Sequence, residues 1–222
     1  MAFTIHVLNQ DKYITSETPV TGHNVLADLD SAEKGRVIAW RVNNYTRPLG
    51  WVIDDDAAVE FVLTTSPDGL RIYQRSLDFL LVIACEKTLN RKAVLRHSIG
   101  EGHYWELEDG PVTQSDVYKL HAAMSEMVHE DLPITRKILP IDKAKRIFQE
   151  QGEPEIADLF VRANLDPVEV YRCSSRYGYF CGAMAPSTGL LRTFDLLLFD
   201  RGLVLQFPTA DQIGRASCRE RV

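Results

Sequence analysis

The 222-residue chain is poor in cysteine: it has four, none in a Cys-x2-Cys spacing. A disulfide framework is thereby excluded, and reduced, separately packed thiols fit a cytoplasmic setting. Long apolar runs are missing. The longest, Phe79–Cys85, is seven residues, against the ~20 that a membrane span needs. The opening Met1-Ala2-Phe3-Thr4-Ile5-His6 lacks the basic-then-apolar order of a secretion signal. Positive charge is not in excess either: 25 Lys and Arg stand against 31 Asp and Glu, a net charge of −6. Nothing in that balance advertises a phosphate-backbone partner. Residues 1–64 carry five basic and nine acidic side chains and residues 65–212 carry 17 and 21, so the two segments share a sign. A Gly-x4-Gly-Lys-Ser/Thr loop is also absent. The nearest string, Gly182 to Gly189, has its glycines seven apart and no lysine following, so these residues cannot cradle nucleotide phosphates in that way.

What is present is an α+β pattern. Alternation at 3–8 with a return strand at 13–15, a short helix over Asn24–Asp30, and strands at 37–42, 51–53 and 58–63 predict a small mixed β domain with one helix. Asn43-Asn44 is a turn pair, and Asp54-Asp55-Asp56 reads as a solvated loop, lacking the alternating ligands, glycine and later glutamate of a calcium loop. Ser66-Pro67-Asp68-Gly69 reads as a turn and a domain boundary. Helical spacing follows from Tyr73 to Leu89, then two strands between Val94 and Leu107 around Gly100–Gly102. Thr113 with Asp116 marks the start of a helix carrying Val117, Leu120, Met124, Met127 and Val128, bounded by Pro133. Helices are expected at 142–151 and after Pro154, and strands at 168–171, 190–194, 196–199 and 204–207. There are no internal repeats.

Residues 213–222 depart from this pattern, with no apolar period and with arginine at three of ten positions. They resemble the translation of a sequencing adapter, the alternative being a genuine basic tail. On that reading Cys218 carries no function, and the natural chain continues past Gln212.

The ordered motifs carry a family resemblance. The stretch Ile38-Ala39-Trp40-Arg41-Val42-Asn43-Asn44, the aspartate loop and Val59-Glu60-Phe61 resemble a TGS module, implying a β-grasp domain over 1–64. Gly102-His103-Tyr104-Trp105-Glu106-Leu107, the run from Met124 to Ile134, Ala144–Phe148 and Ala185-Pro186-Ser187-Thr188-Gly189 before Phe194-Asp195-Leu196 resemble the second N-terminal domain of threonyl-tRNA synthetases. This implies an α+β editing-type domain over 70–208. In those enzymes His-x3-His and Cys-x3-His position water against an aminoacyl ester. Here the corresponding positions are Arg75 and Phe79, and Phe180 and Met184. Shifting the register does not help, because no histidine or cysteine in the chain has a histidine four residues on. The editing centre therefore reads as degenerate, with no catalytic set, no metal site and no cofactor.

A narrower likeness concerns Tyr171-Arg172-Cys173, Tyr177–Phe180, Gly182–Gly189 and Leu205-Gln206-Phe207-Pro208. These resemble the N-terminal half of a bacterial fusion whose later half is a uridine kinase/phosphoribulokinase-type nucleoside kinase. That resemblance implies a parent transferase using ATP and Mg, with its kinase domain in cis and beyond this chain. The present chain would then be a non-catalytic regulatory region binding a small molecule, RNA or the kinase domain. An editing-type hydrolase using a rearranged set such as His103 and Cys181, and a protein-docking adaptor, are the alternatives.

Candidate ligand-binding residues are Arg75, His103, Tyr104, Arg172, Tyr179, Ser187 and Thr188. Arg75 adds charge to the old pocket and is either an anion anchor or a salt-bridge partner of a carboxylate such as Asp78. Tyr177 and Tyr179 beside Arg172 and Arg176 could stack a base, core packing being the competing role. Cys173 and Cys181 read as two separately packed thiols.

Overall fold

A computed structural model describes residues 2–28 and 33–219, with side chains as far as Gly214. The first strands, β1 (Phe3–Val7) and β2 (Lys12–Ser16), form a hairpin. β3 (Val20–Thr21) leads into α1 (Gly22–Ala27), which Thr21 and Asn24 start with a reciprocal capping box. Leu29 and Asp30, expected to end this helix, lie outside the described residues. β4 (Val37–Val42), β5 (Tyr45–Arg47), β6 (Val52–Ile53) and β7 (Ala57–Leu63) complete the unit. Its sheet runs β2-β1-β7-β4-β5, with β1 and β7 parallel and the other pairs antiparallel. Asn43 and Asn44, both at positive φ (46° and 68°), make the tight turn between β4 and β5. Phe3, Ile5 and Val7 alternate inward with Val59 and Phe61 and pack around buried Trp40 and Val25.

Ser66 caps α2 (Pro67–Ala84), its Oγ accepting from the Gly69 N–H at 3.1 Å. The Ser66–Gly69 stretch is therefore the entry to a helix, not a free-standing turn; Pro67 fits at N1, where its missing N–H costs nothing. α2 runs on into a π turn, Cys85–Leu89. Then come β8 (Ala93–Ile99), β9 (Gly102–Leu107) and α3 (Gln114–His129), the last opened by the Thr113/Asp116 capping box. β10 (Ile134–Leu139), α4 (Ile141–Glu150), α5 (Pro154–Arg162), β11 (Val168–Cys173) and β12 (Arg176–Gly178) follow. The chain ends with β13 (Asp195–Phe199), β14 (Gly202–Gln206) and α6 (Ala210–Arg219). Part of the terminal segment, including the Cys218 side chain, lies outside the described residues.

Two sheets flank α2: β10-β11-β12 on one side and β13-β14-β9-β8 on the other. Alternation along β11 divides its contacts. Tyr171 and Cys173 join the core around α2 and α3, whereas Val168 and Val170 join a separate core with Phe148 and Phe160 of α4 and α5. The 190–194 stretch is not a strand. Thr188–Leu190 is a 3-10 turn, and the Thr193 N–H and C=O are both engaged by the hydroxyl of Tyr73, at 2.8 and 3.1 Å. β10 and β12 lie outside the strands expected from the sequence. The architecture is α+β. Among the described residues no helix is long and apolar enough to cross a membrane.

The first sheet and the rest of the chain share a core. Ile38, Ala39 and Val62 pack in the same buried cluster as Ile72 and Tyr73 of α2. Arg41 of β4 bonds Glu60 and reaches Asp68 at 2.9 Å in the first turn of α2. The Trp51 ring lies between two guanidinium groups, Arg47 at 4.1 Å and Arg136 of β10 at 4.5 Å.

Candidate functional site: a cleft along helix α2

At about 100° per residue, Arg75, Asp78, Phe79 and Val82 fall on one face of α2. Glu86 continues that face into the π turn. Phe79 and Asp78 stand at its two margins, and the two flanking sheets rise on either side.

On the Phe79 side the ring meets Phe180 edge-on, with centroids 5.2 Å apart. Gly178 lies directly beneath: a Cβ there would stand 2.5 Å from Phe180 Cε2 and 2.9 Å from Phe79 Cε2. The Arg75 Nη1 donates to the Ala183 carbonyl at 2.6 Å. Gly182, at φ +112°, passes close to the same guanidinium. Ser76 fastens the strip two residues on, its Oγ accepting from the Ala185 N–H at 2.9 Å and donating to the Ile72 carbonyl at 2.7 Å. Met184 is buried between these anchors. Arg75, Phe79, Phe180 and Met184 thus come together around one strip of chain. None of the four offers a nitrogen or sulfur base for activating water. Burial pushes the Tyr171 phenol, which lies against this strip, up to about 12.

On the other side, Asp78 faces β9. Both its carboxylate oxygens lie 3.0 Å from Nδ1 of His103. The Asp78 side chain is 12% exposed and that of His103 is 23% exposed. The Phe207 ring meets the imidazole edge-on at 4.7 Å and 87°. Burial raises the Asp78 carboxyl above the ordinary range, and the His103 bond offsets part of that rise. Arg75 therefore has a backbone carbonyl as its hydrogen-bond partner, while the expected Arg75–Asp78 pairing is replaced by Asp78–His103.

Further along the same face opens a cavity of about 310 Å³, bounded by Val82 and Glu86, the start of β8, and the turn between α4 and α5. Buried Arg176 bridges Glu86 at 3.2 Å and Glu153 at 2.6 Å along its edge. Burial raises the Glu153 carboxyl despite Arg176.

The remaining candidate residues lie elsewhere. Tyr104 sits on the opposite face of β9, against His97 and Phe199, with its hydroxyl donating to Glu106 at 3.2 Å. Arg172 is exposed, donates to the Ser174 carbonyl at 2.9 Å and lies over the Tyr177 ring. Tyr179 packs on Phe160 among α4 and α5. Ser187 bridges Pro133. Thr188 is fully buried, donating to the Met127 carbonyl and accepting from the Leu132 N–H, and it holds the end of α3. Cys181 is exposed beside Tyr179, and His103 has Asp78 in its place as partner. Burial lifts the thiols of Cys85 and Cys173 to about 12 and about 11, which makes them poor nucleophiles. Among the described residues no group of three or more His, Cys, Asp or Glu side chains is arranged to hold a metal ion. The Asp78–His103 pair was not legible as a unit: 25 residues separate the partners, and no local spacing signals them.

No protein-family profile matches the chain. Among curated proteins it is 26% identical over 181 residues to the threonine–tRNA ligase of Marinobacter nauticus, covering 80% of this chain and 28% of that one. It is 28% identical over 183 residues to that of Teredinibacter turnerae, with 81% and 29% covered. It is 30% identical over 182 residues to that of Acidithiobacillus ferrooxidans, with 80% and 28% covered. The chain thus spans less than a third of the length of these relatives, and its similarity to threonine–tRNA ligases extends over about four-fifths of its own length.

Proposed function

We propose that this chain is a threonine–tRNA-ligase-related region in which an editing-type cleft has been turned into a binding site. The reading rests on one combination: similarity to threonine–tRNA ligases over 80% of the chain, with Arg75, Phe79, Phe180 and Met184 gathered where the resemblance places the editing residues. Arg75 is the anchor. Its Nη1 is fixed on Ala183, and its remaining N–H groups are available to a carboxylate or phosphate. RNA carrying a 3′-terminal ester, or a small anion, is the ligand class. Titration of the whole chain with threonine-specific tRNA and with free threonine tests this. Binding weakened about tenfold by Arg75→Ala, the loss of one charge-assisted contact, is the expected result. Absence of binding to either ligand overturns the reading and leaves a docking role.

A second reading attaches the region to an ATP-dependent nucleoside kinase in cis, on the likeness of residues 171–208. Within this chain Gly182–Gly189 is not a phosphate loop. The Ala183 carbonyl, Ala185 N–H, Thr188 hydroxyl and Gly189 N–H are taken up by α2, α3 and Asp131. The downstream reading frame decides the fusion: a Gly-x4-Gly-Lys-Ser/Thr motif after a strand supports it, and a synthetase-like continuation refutes it.

A further inference from the structure

Edge strands expose unpaired backbone N–H and C=O groups, and chains blunt them with charge, a bulge or shortness. Among the described residues, the edges of the three larger sheets follow that rule with one exception. β2 opens on Lys12, β5 and β12 are three residues long and carry an arginine each, and β10 has Arg136-Lys137 at its centre. β8 carries Arg96 and a bulge between Leu95 and His97. The exception is β13. After Asp195 it reads Leu196-Leu197-Leu198-Phe199, paired with β14 in unbroken register. Leu197, Leu198 and Phe199 are 43%, 40% and 47% exposed, a run of open apolar side chains along one edge. Leu196 is buried in the core that α3 also lines, so α3 packs on β13 from that side. The Leu196 N–H donates to the carboxylate of its neighbour Asp195 at 2.8 Å, and is therefore turned away from β14. Backbone direction alternates along a strand. Leu196 and Leu198 thus present their N–H and C=O groups outward, while Asp195, Leu197 and Phe199 bond β14.

We infer that β13 is a self-association edge, on which a second copy of this chain pairs antiparallel, β13 to β13, about a two-fold axis at Leu197. Leu196-Leu197-Leu198 reads the same in both directions, as a two-fold pairing requires, and this matches the edge to its own copy rather than to a foreign strand. Leu196 then faces the partner's Leu198, and the outward N–H and C=O groups of each bond the other. Leu197 stands opposite the partner's Leu197, at the close spacing of a pair without hydrogen bonds. Asp195 falls opposite the partner's Phe199, so the two carboxylates stay apart. The Asp195 side chain holds the Leu196 N–H while the edge is open and gives it up on pairing. A contact between strands of five residues is small, at the low end of specific interfaces. The association is accordingly weak, with a Kd between about 1 μM and 1 mM. Pairing at β13 does not depend on what the α2 cleft binds.

Sedimentation velocity of the whole chain tests this, with reductant present so that exposed Cys181 cannot link copies. Between about 5 μM and about 1 mM the mean mass should rise toward that of two copies. A single-copy mass throughout overturns the inference. So does growth beyond two copies, because a two-fold pairing uses up the edge. Each copy carries a net charge of −6, so added salt should tighten the pairing, and loosening by salt counts against it decisively. Leu197→Lys sets like charges face to face at the axis, and Leu198→Pro removes an outward N–H that β14 does not use. Each should weaken association by about tenfold or more. Ile138→Lys, at an open apolar position on β10, should leave it unchanged. Parent-like association of either β13 variant in folded form sinks the assignment, as does its loss in folded Ile138→Lys. The unsubstituted chain gives a readout that survives any failure of the variants to fold. Exchange of the Leu198 amide hydrogen should slow as the dimer forms, and unchanged exchange in a chain that dimerises places the contact elsewhere and refutes β13 pairing.

Discussion

Gly178 shows how tightly the apolar margin of the cleft is built. A methyl group added there meets two aromatic ring atoms at 2.5 and 2.9 Å, and rings wedged against each other have little freedom to yield. Gly178→Ala should destabilise the fold by about 1–3 kcal/mol, seen as a lowered urea midpoint with an unchanged m-value. An unaltered midpoint would mean that Phe180 swings away freely. Asp78 leads to a prediction about pH. Burial raises its folded-state carboxyl above the unfolded value, so the folded chain keeps a proton that the unfolded chain has already released. Its contribution is therefore full in acid and is lost as pH rises through the window between those two values. Urea midpoints measured upward from about pH 4, the ordinary carboxylate value, should fall more steeply in the parent than in Asp78→Asn. Equal slopes would show that the carboxyl is not raised.

Elements are legible where their signals are local. Thr113 and Asp116 mark the start of α3 because a capping box lies within four residues, and the structure contains both its bonds, Asp116 N–H to Thr113 Oγ1 at 3.2 Å and Thr113 N–H to Asp116 at 2.9 Å. Thr113→Ala should cost about 1 kcal/mol, checked by thermal unfolding. No change would assign the start of α3 to tertiary packing alone. β10 is hidden for the opposite reason. Ile134 and Leu139 are buried at its ends, but the middle reads Thr135-Arg136-Lys137, and Arg136 is held by Glu169 of the neighbouring β11 and by Trp51, both distant in sequence. The 190–194 stretch reads as a strand because it is largely apolar. Its backbone is instead engaged by Tyr73, 120 residues earlier. The same limit governs the site. Arg75, Phe79, Phe180 and Met184 are picked out by the order of motifs that resemble those of threonine–tRNA ligases, whereas Asp78–His103 arises from the packing of a helix on a sheet and leaves no periodic trace.

Across the whole molecule the first sheet is not an appendage. Ile38, Ala39 and Val62 complete the core that buries α2, and α2 in turn carries the cleft. Arg41 and Trp51 add two polar ties across the same junction. Trp51→Ala removes both guanidinium stacks and should cost about 1–4 kcal/mol, at roughly 0.5–2 kcal/mol per stack. It should also raise protease sensitivity near Thr65. Wild-type stability with unchanged cleavage would show that the stacks carry no weight. Of the three tryptophans, Trp40 and Trp105 are buried and only Trp51 is partly open and flanked by guanidinium groups. Its indole emission is thereby a built-in optical gauge: any ligand or substitution that parts β10 from the first sheet frees one ring face to solvent, and fluorescence reports the parting without an added label.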